Sequence, residues 1–107
     1  MSNALLTRQI GEVVEAIVDR IAPSRVILFG SHAHGTADPG SDVDLLVVME
    51  SSLPPLQQAA AISRALDHRV PVDIVVRTPT RVAARHPRDI MLRTILDHGV
   101  VVYETRN

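Results

Sequence analysis

The stretch "GSDVDLLVVME" constrains the fold of this chain most, because two carboxylates lead directly into an apolar run. The run from Val43 to Met49 is apolar on both strand faces, which predicts a strand at the centre of a sheet. Asp42 and Asp44 are two residues apart, so their side chains point to the same side of that strand. Carboxylates this close repel each other, and a divalent cation would remove the repulsion.

A third carboxylate, Asp73, lies in the apolar stretch "VPVDIVV", which predicts a strand from Val70 to Val76. If this strand lies beside the Val43 to Met49 strand, Asp73 can face Asp42 and Asp44. Three carboxylates around two Mg²⁺ ions are typical of phosphoryl or nucleotidyl transfer sites. The alternative is a partly exposed Asp73 that pairs with one of two flanking arginines, Arg69 or Arg77.

The loop from Gly30 to Ser41 follows a short apolar strand, predicted for Arg25 to Phe29. Gly30 lets a ligand approach the backbone closely, and Ser31 offers a hydroxyl at the start of a helical turn whose free amides favour phosphate. We predict that Gly30, Ser31 and Ser41 bind a nucleotide. The alternative for Ser31 is that it merely caps the helical turn.

The 107 residues are enough for one domain, residues 1–107, with one core. Hydrophobic periodicity predicts an α/β fold in the order α-β-β-α-β-α-β, a small mixed sheet packed against helices. The helices are predicted from Ala4 to Ala22, from Pro54–Pro55 to about His68, and from Pro87 to the stop at Asp97-His98-Gly99, and a last strand from Val100 to Tyr103. The predicted inward residues of the last two helices are Leu56, Ala60, Ile62, Ser63 and Leu66, then Ile90, Met91, Ile95 and Leu92.

Composition excludes several kinds of function. The net charge is −1 and only two residues are aromatic, so neither a general electrostatic field nor a stacking platform favours direct nucleic-acid binding. Cysteine is absent, which excludes thiolate chemistry and disulfides. No apolar run reaches the roughly 20 residues of a membrane span, so we expect no membrane association and a cytoplasmic protein.

For two groups of polar residues, the sequence predicts positions on the surface rather than in binding sites. His32, His34, His86 and His98 fit no zinc-binding spacing, which indicates surface histidines. The arginines near the last helix indicate a solvated face, with an acidic partner or its RNA as the alternative; they are Arg81, Arg85, Arg88 and Arg93.

The pair Gly30-Ser31, ten further residues and Asp42-x-Asp44 together resemble the Gly-Ser-x10-Asp-x-Asp signature of the DNA-polymerase-beta-like nucleotidyltransferase superfamily. The flanks "ILFGS" and "GSDVDLLV", the single Asp73 one strand later and the tail "ILDHGVVVYE" resemble its smallest members. These are the minimal nucleotidyltransferase domains, the MNT antitoxins of HEPN/MNT toxin–antitoxin pairs. The likeness extends from about Val26 to Glu104.

The resemblance implies the nucleotidyltransferase fold and a role for each matching residue. Ser31 would contact the nucleotide phosphates, Asp42 and Asp44 would hold both Mg²⁺ ions, and Asp73 would complete the shell of one ion near the acceptor. His34 departs from the pattern, because the minimal domains often have an arginine there. A mostly neutral imidazole would make a weaker phosphate contact.

The resemblance also implies an activity and a partner. The expected reaction transfers AMP from ATP to a tyrosine of a partner HEPN ribonuclease toxin, which silences the toxin. The first and last helices are the expected docking faces, in a hetero-complex or a homo-oligomer. Two alternatives are a non-catalytic antitoxin that neutralises the toxin by binding, and a catalytic subunit that acts on a small-molecule acceptor.

Overall fold

The computed structural model describes residues 4–37, 40–66 and 70–105, which form five helices and four strands. Each predicted strand is present, with bounds that differ from the prediction by at most two residues. None of the described helices is both long enough and apolar enough to cross a bilayer. In chain order the elements are α1 (Ala4–Ile21), β1 (Arg25–Phe29), α2 (Ser31–His34), β2 (Val43–Val48), α3 (Pro55–Ala65), β3 (Val72–Arg77), α4 (Pro79–Ala84), α5 (Ile90–His98) and β4 (Val100–Glu104).

The four strands form one mixed sheet in the order β3-β2-β1-β4. Strand β1 pairs antiparallel with both β2 and β4, whereas β2 and β3 run parallel. The predicted α/β class, the mixed sheet and the central position of the strand that begins at Val43 are therefore confirmed. The condition under which Asp73 can face the other two acids is met as well, because its strand lies directly beside β2.

Helices cover both faces of this sheet, so β2 is buried on both sides. Leu45 and Leu46 point to opposite faces and both are fully buried, which stabilises the fold by about 2 kcal/mol for each side chain. Helices α1 and α3 cover the face of Leu45 through Val13, Val14, Ile17, Ala59 and Ile62. Helices α4 and α5 cover the face of Leu46 through Val82, Leu92 and Ile95.

The structure contains two helices beyond the three of the predicted order. Helix α2 is the helical turn that begins at Ser31, and α4 begins at Pro79, in a segment for which no helix was predicted. Proline is favoured at the first helical position, and the side chain of Thr78 accepts a hydrogen bond from the amide of Arg81 as an N-cap. The predicted helix end at His68 lies outside the described residues, and α3 ends at Ala65.

The predicted inward faces of two helices are partly wrong. In α3 the buried residues are Ala59 and Ile62, whereas Leu56 is 85% exposed and Ala60 is exposed. Helix α5 begins at Ile90 rather than Pro87 and buries Leu92 and Ile95, so Ile90 and Met91 lie on its exposed side. Each helix had more apolar residues than one face can hold, and the sheet contacts select the face.

Asp89 fixes the α4–α5 connection to the end of β3. Its carboxylate is buried and accepts hydrogen bonds from Arg77 Nε at 2.7 Å, Arg81 Nε at 2.9 Å and the amide of Leu92 at 3.1 Å. The hydrogen bond from Arg77 is the largest of the effects that hold the pKa of Asp89 far below its usual value, against the opposing effect of burial. The three bonds therefore stabilise the ionised form and cap α5 at the same time.

We expect Asp89→Asn to lower the free energy of unfolding by about 3 kcal/mol, because it leaves the half-buried Arg77 guanidinium without its counter-charge. The matched control is Asp97→Asn, which breaks an exposed ion pair with Arg85 and should cost less than about 1 kcal/mol. Urea unfolding at pH 7 measures both. Because the folded pKa of Asp89 is depressed, the advantage of the wild type should shrink as the pH falls below about 4. Equal costs for the two variants would contradict this role of Asp89.

Candidate functional site

Asp44 and Asp73 lie side by side at the beginning of the parallel strand pair β2 and β3. They are direct partners in the register of β2 and β3, so their side chains leave the sheet on the same face. Leu46 and Val48 share that face of β2 and pack in the cluster of α4 and α5. The structure thus brings two of the three predicted acids together on one side of the sheet.

Asp42 adds a third negative charge, because it is exposed just before β2 and two residues from Asp44. The pKa of Asp44 is raised above its ordinary value, first by partial burial of the carboxyl and then by the negative charges of Asp73 and Asp42. The nearby His32 acts in the opposite direction and lowers that pKa. The site is therefore an acidic cluster in which burial and the neighbouring carboxylates both disfavour the ionised form of Asp44.

Gly30 leaves the space that the Asp44 carboxylate occupies. Strand β1 ends at Phe29, the antiparallel partner of Asp44, so Gly30 lies next to that carboxylate. A Cβ atom at residue 30 would overlap Asp44 Oδ2 and lie 3.1 Å from Asp44 Cγ. Gly30 also has a φ of 77° and a ψ of −157°, a backbone conformation that is nearly exclusive to glycine. A side chain at this position would meet both a steric and a conformational barrier.

The two serines of the predicted nucleotide-binding set lie at opposite ends of the loop. Ser31 is the first residue of α2 and half-buried, and Ser41 immediately precedes Asp42. His32 Nε2 lies 3.1 Å from the carbonyl oxygen of Ser41, and its hydrogen bond draws the loop ends together. The sequence interpretation placed His32 among surface histidines, but this side chain is half-buried. Its position within the loop was the only signal of this contact.

The acidic cluster has the donor chemistry that Mg²⁺ prefers. Across the described ranges 4–37, 40–66 and 70–105, no three His, Asp or Glu side chains are close enough together to hold one ion as they stand. Asp42 and Asp73 are exposed, so rotation of either side chain costs little, and hard carboxylate oxygens suit Mg²⁺. Burial and then the negative charges of Asp73 and Asp42 raise the pKa of Asp44, and the positive charge of a divalent cation would oppose both effects. The residues therefore fit a magnesium ion.

The alternative role of Asp73 as an ion-pair residue is limited by the contacts of Arg77. The guanidinium of Arg77 binds Asp89 and the carbonyl of Val76, at the opposite end of β3. Arg69, the other arginine that flanks Asp73 in sequence, lies outside the described residues. Asp73 is exposed, and its negative charge contributes to the raised pKa of Asp44.

We expect Asp44→Asn to raise the melting temperature at pH 7 by about 2–5 °C. A raised folded pKa means that the folded state holds the proton of Asp44 more tightly, so stability is lost as pH rises through that pKa. The gain of the variant should therefore shrink as pH falls toward 4. Thermal unfolding in chelator between pH 4 and 8 measures it, with the exposed Glu50→Gln as control. A lower melting temperature for Asp44→Asn at pH 7 would contradict the repulsion.

We expect Gly30→Ala to destabilise the wild type about 1–2 kcal/mol more than it destabilises an Asp44→Ala background, because the overlap disappears with the carboxylate. Gly35→Ala is the control, since Gly35 has a φ of 71° and nothing within 4 Å of a Cβ. Its cost should be equal in both backgrounds. Urea unfolding of the four single and double variants and the two backgrounds gives both coupling energies. Equal coupling for the two glycines would show that only backbone conformation matters at Gly30.

Comparisons with known proteins agree with this fold. A Sulfolobus solfataricus protein described as a candidate nucleotidyltransferase has a TM-score of 0.62 and 21% identity, over 97% of this chain and 90% of its own. A toxin–antitoxin structure with AMP-PNP has a TM-score of 0.59 and 23% identity, over 92% and 73%. A mutant of the toxin–antitoxin MntA–HpeT has a TM-score of 0.59 and 23% identity, over 90% and 72%. No curated protein sequence matches the chain. Residues 10–97 match the family model of the nucleotidyltransferase domain, and the chain therefore belongs to that family.

Proposed function

We propose that this protein is a Mg²⁺-dependent nucleotidyltransferase that transfers AMP from ATP to a tyrosine hydroxyl of a partner HEPN toxin, and so acts as a cytoplasmic antitoxin. Family membership supports the transferase chemistry. The observation that carries the proposal is the register pairing of Asp44 with Asp73, beside a glycine that leaves room for the Asp44 carboxylate. Nucleotidyl transfer is the chemistry that best suits such a repelling pair.

Each residue of the cluster has a role in this proposal. Asp42 and Asp44 would hold two magnesium ions, and Asp73 would complete the shell of one of them. Ser31 and the backbone at Gly30 contact the phosphates of ATP, and Ser41 lies at the other end of the same loop. Bound Mg²⁺ would supply positive charge that neutralises the departing pyrophosphate and acidifies the attacking hydroxyl.

The proposed transfer forms one bond to phosphorus and breaks another. The tyrosine oxygen forms a bond to the α-phosphorus of ATP, and the bond from that phosphorus to the oxygen bridging to the β-phosphate breaks. Pyrophosphate leaves with the electron pair of that bond. The hydroxyl proton passes to Asp73, whose carboxylate is exposed.

Two comparisons support the donor and the partner. One structural neighbour is a toxin–antitoxin with AMP-PNP, an ATP analogue, and another is the toxin–antitoxin MntA–HpeT. The assignment of a HEPN toxin and of tyrosine as acceptor depends on the resemblance of the motifs around Gly30-Ser31 and Asp42-Val43-Asp44.

We expect the protein, mixed with its partner toxin and α-labelled ATP, to transfer label to the toxin only when Mg²⁺ is present. Asp42→Asn with Asp44→Asn should reduce the transfer by at least about 1,000-fold, because Mg²⁺ loses two carboxylate ligands and the ATP phosphates then lose Mg²⁺. The matched control is Glu50→Gln, which removes an exposed carboxylate beyond the opposite end of β2 and should leave the rate unchanged.

Two further experimental results would distinguish the proposed function from its alternatives. A toxin that the double variant still silences, with no label transferred, would support a non-catalytic antitoxin and contradict the proposal. Label on a small molecule rather than on the toxin would support a small-molecule transferase. Mg²⁺ should also raise the melting temperature of the wild type and not that of the double variant, because only a ligand that binds the folded state stabilises it.

A further inference from the structure

An apolar groove runs along the free edge of β3, next to the acidic cluster. It has a volume of about 1030 Å³ and its floor includes Ile74 and Val75 of β3. Leu56 of α3 forms one wall and Met91 of α5 contributes to the other, and these side chains are 85% and 52% exposed. Asp73 lies at one end of the groove. The groove therefore joins exposed apolar walls to a carboxylate of the candidate site.

The backbone of β3 leaves hydrogen-bonding groups directed toward this groove. The carbonyls of Pro71 and Arg77 accept hydrogen bonds from the amides of Val43 and Met49, so the odd-numbered residues of β3 face β2. The even-numbered residues Val72 and Ile74 then direct their N–H and C=O groups away from β2. Strand β3 is at the end of the sheet order, so among the described strands none pairs with this edge.

The charges in the groove favour a peptide over a nucleic acid. Arg77 and Arg81 both line the groove, but both guanidiniums donate to Asp89. Asp73 at the other end would repel phosphate groups. A strand edge with apolar walls and no uncommitted arginine among these lining residues suits a neutral, extended polypeptide segment.

We propose that this groove binds an extended apolar segment of the acceptor protein by strand addition to β3, and that the segment brings its hydroxyl-bearing residue to Asp73. The inference rests on the proposed transfer for the destination of that hydroxyl. The six residues of β3 span about 20 Å, which accommodates a segment of about four to six residues. The backbone of β3 supplies affinity, and Leu56 and Met91 select apolar side chains.

The test uses a defined probe, a seven-residue peptide of alternating threonine and valine with a central tyrosine, blocked at both ends. In the ¹⁵N-labelled 107-residue protein without ATP, titration should shift the amide signals of β3, Leu56 and Met91. The amides of Val72 and Ile74 should exchange with solvent more slowly when the peptide is bound. A peptide methylated on alternate backbone nitrogens should not bind, because it cannot pair with the strand edge.

Two variants test the walls of the groove. Leu56→Ser with Met91→Ser should weaken peptide binding about tenfold or more, and both sites are exposed, so folding should be retained. The control is Leu53→Ser, an exposed leucine that does not line the groove, which should leave the affinity unchanged. No shifts at β3 up to millimolar peptide, or equal binding of the methylated peptide, would overturn the proposal.

Other occupants of the groove give distinct results. Protection of Val72 and Ile74 that rises with protein concentration, without peptide, would show that a second copy occupies the edge and would overturn the proposal. Peptide binding at β3 without label transfer to any protein would support the groove and contradict the proposed function. Label transfer to the toxin that Leu56→Ser with Met91→Ser leaves unchanged would support the reaction and contradict the groove.

Discussion

Repulsion between Asp44 and Asp73 is built into the parallel pairing of β2 and β3, because the register makes these two residues direct partners. The strands cannot slip to relieve it, since a one-residue shift of β3 would turn Ile74 and Val76 away from the core that they share with α1 and α3. The core therefore holds the carboxylates together against their charge. Such an arrangement costs stability, and a bound cation would restore what the repulsion costs.

Both ends of β3 are fixed, and this keeps Asp73 in place. At one end, beside the acids, the carbonyl oxygen of Pro71 accepts a hydrogen bond from the amide nitrogen of Val43 at 2.8 Å. At the other end Arg77 binds Asp89, which also caps α5. The ionised carboxylates at the two ends have opposite effects: Asp89 is stabilised by two arginines, whereas Asp44 has mainly negative neighbours. The ion pair between Arg77 and Asp89 thus stabilises the strand that carries Asp73.

The strands and their order along the chain could be predicted because alternation and apolar runs are local signals. The pairing of the Asp73 strand with the central strand followed from the chemistry of the acids rather than from any local pattern. Helix α4 was not predicted, because proline at Pro79 both breaks a strand and begins a helix. The contact of His32 with the Ser41 carbonyl depends on the path of the loop, which residue spacing does not determine. The roles of Ser31, Ser41 and the three acids stay predictions.

The residues that were wrongly predicted to be inward are informative about the site. Leu56 and Met91 were assigned to the core because a sequence reveals that a residue is apolar but not which surface covers it. In the structure both line the groove that ends at Asp73. An exposed leucine alone is common on protein surfaces, but two apolar side chains across an unpaired strand edge form a surface that suits another polypeptide. Two of the four wrong assignments thus fall at the proposed binding groove, whereas Ala60 and Ile90 lie outside its lining.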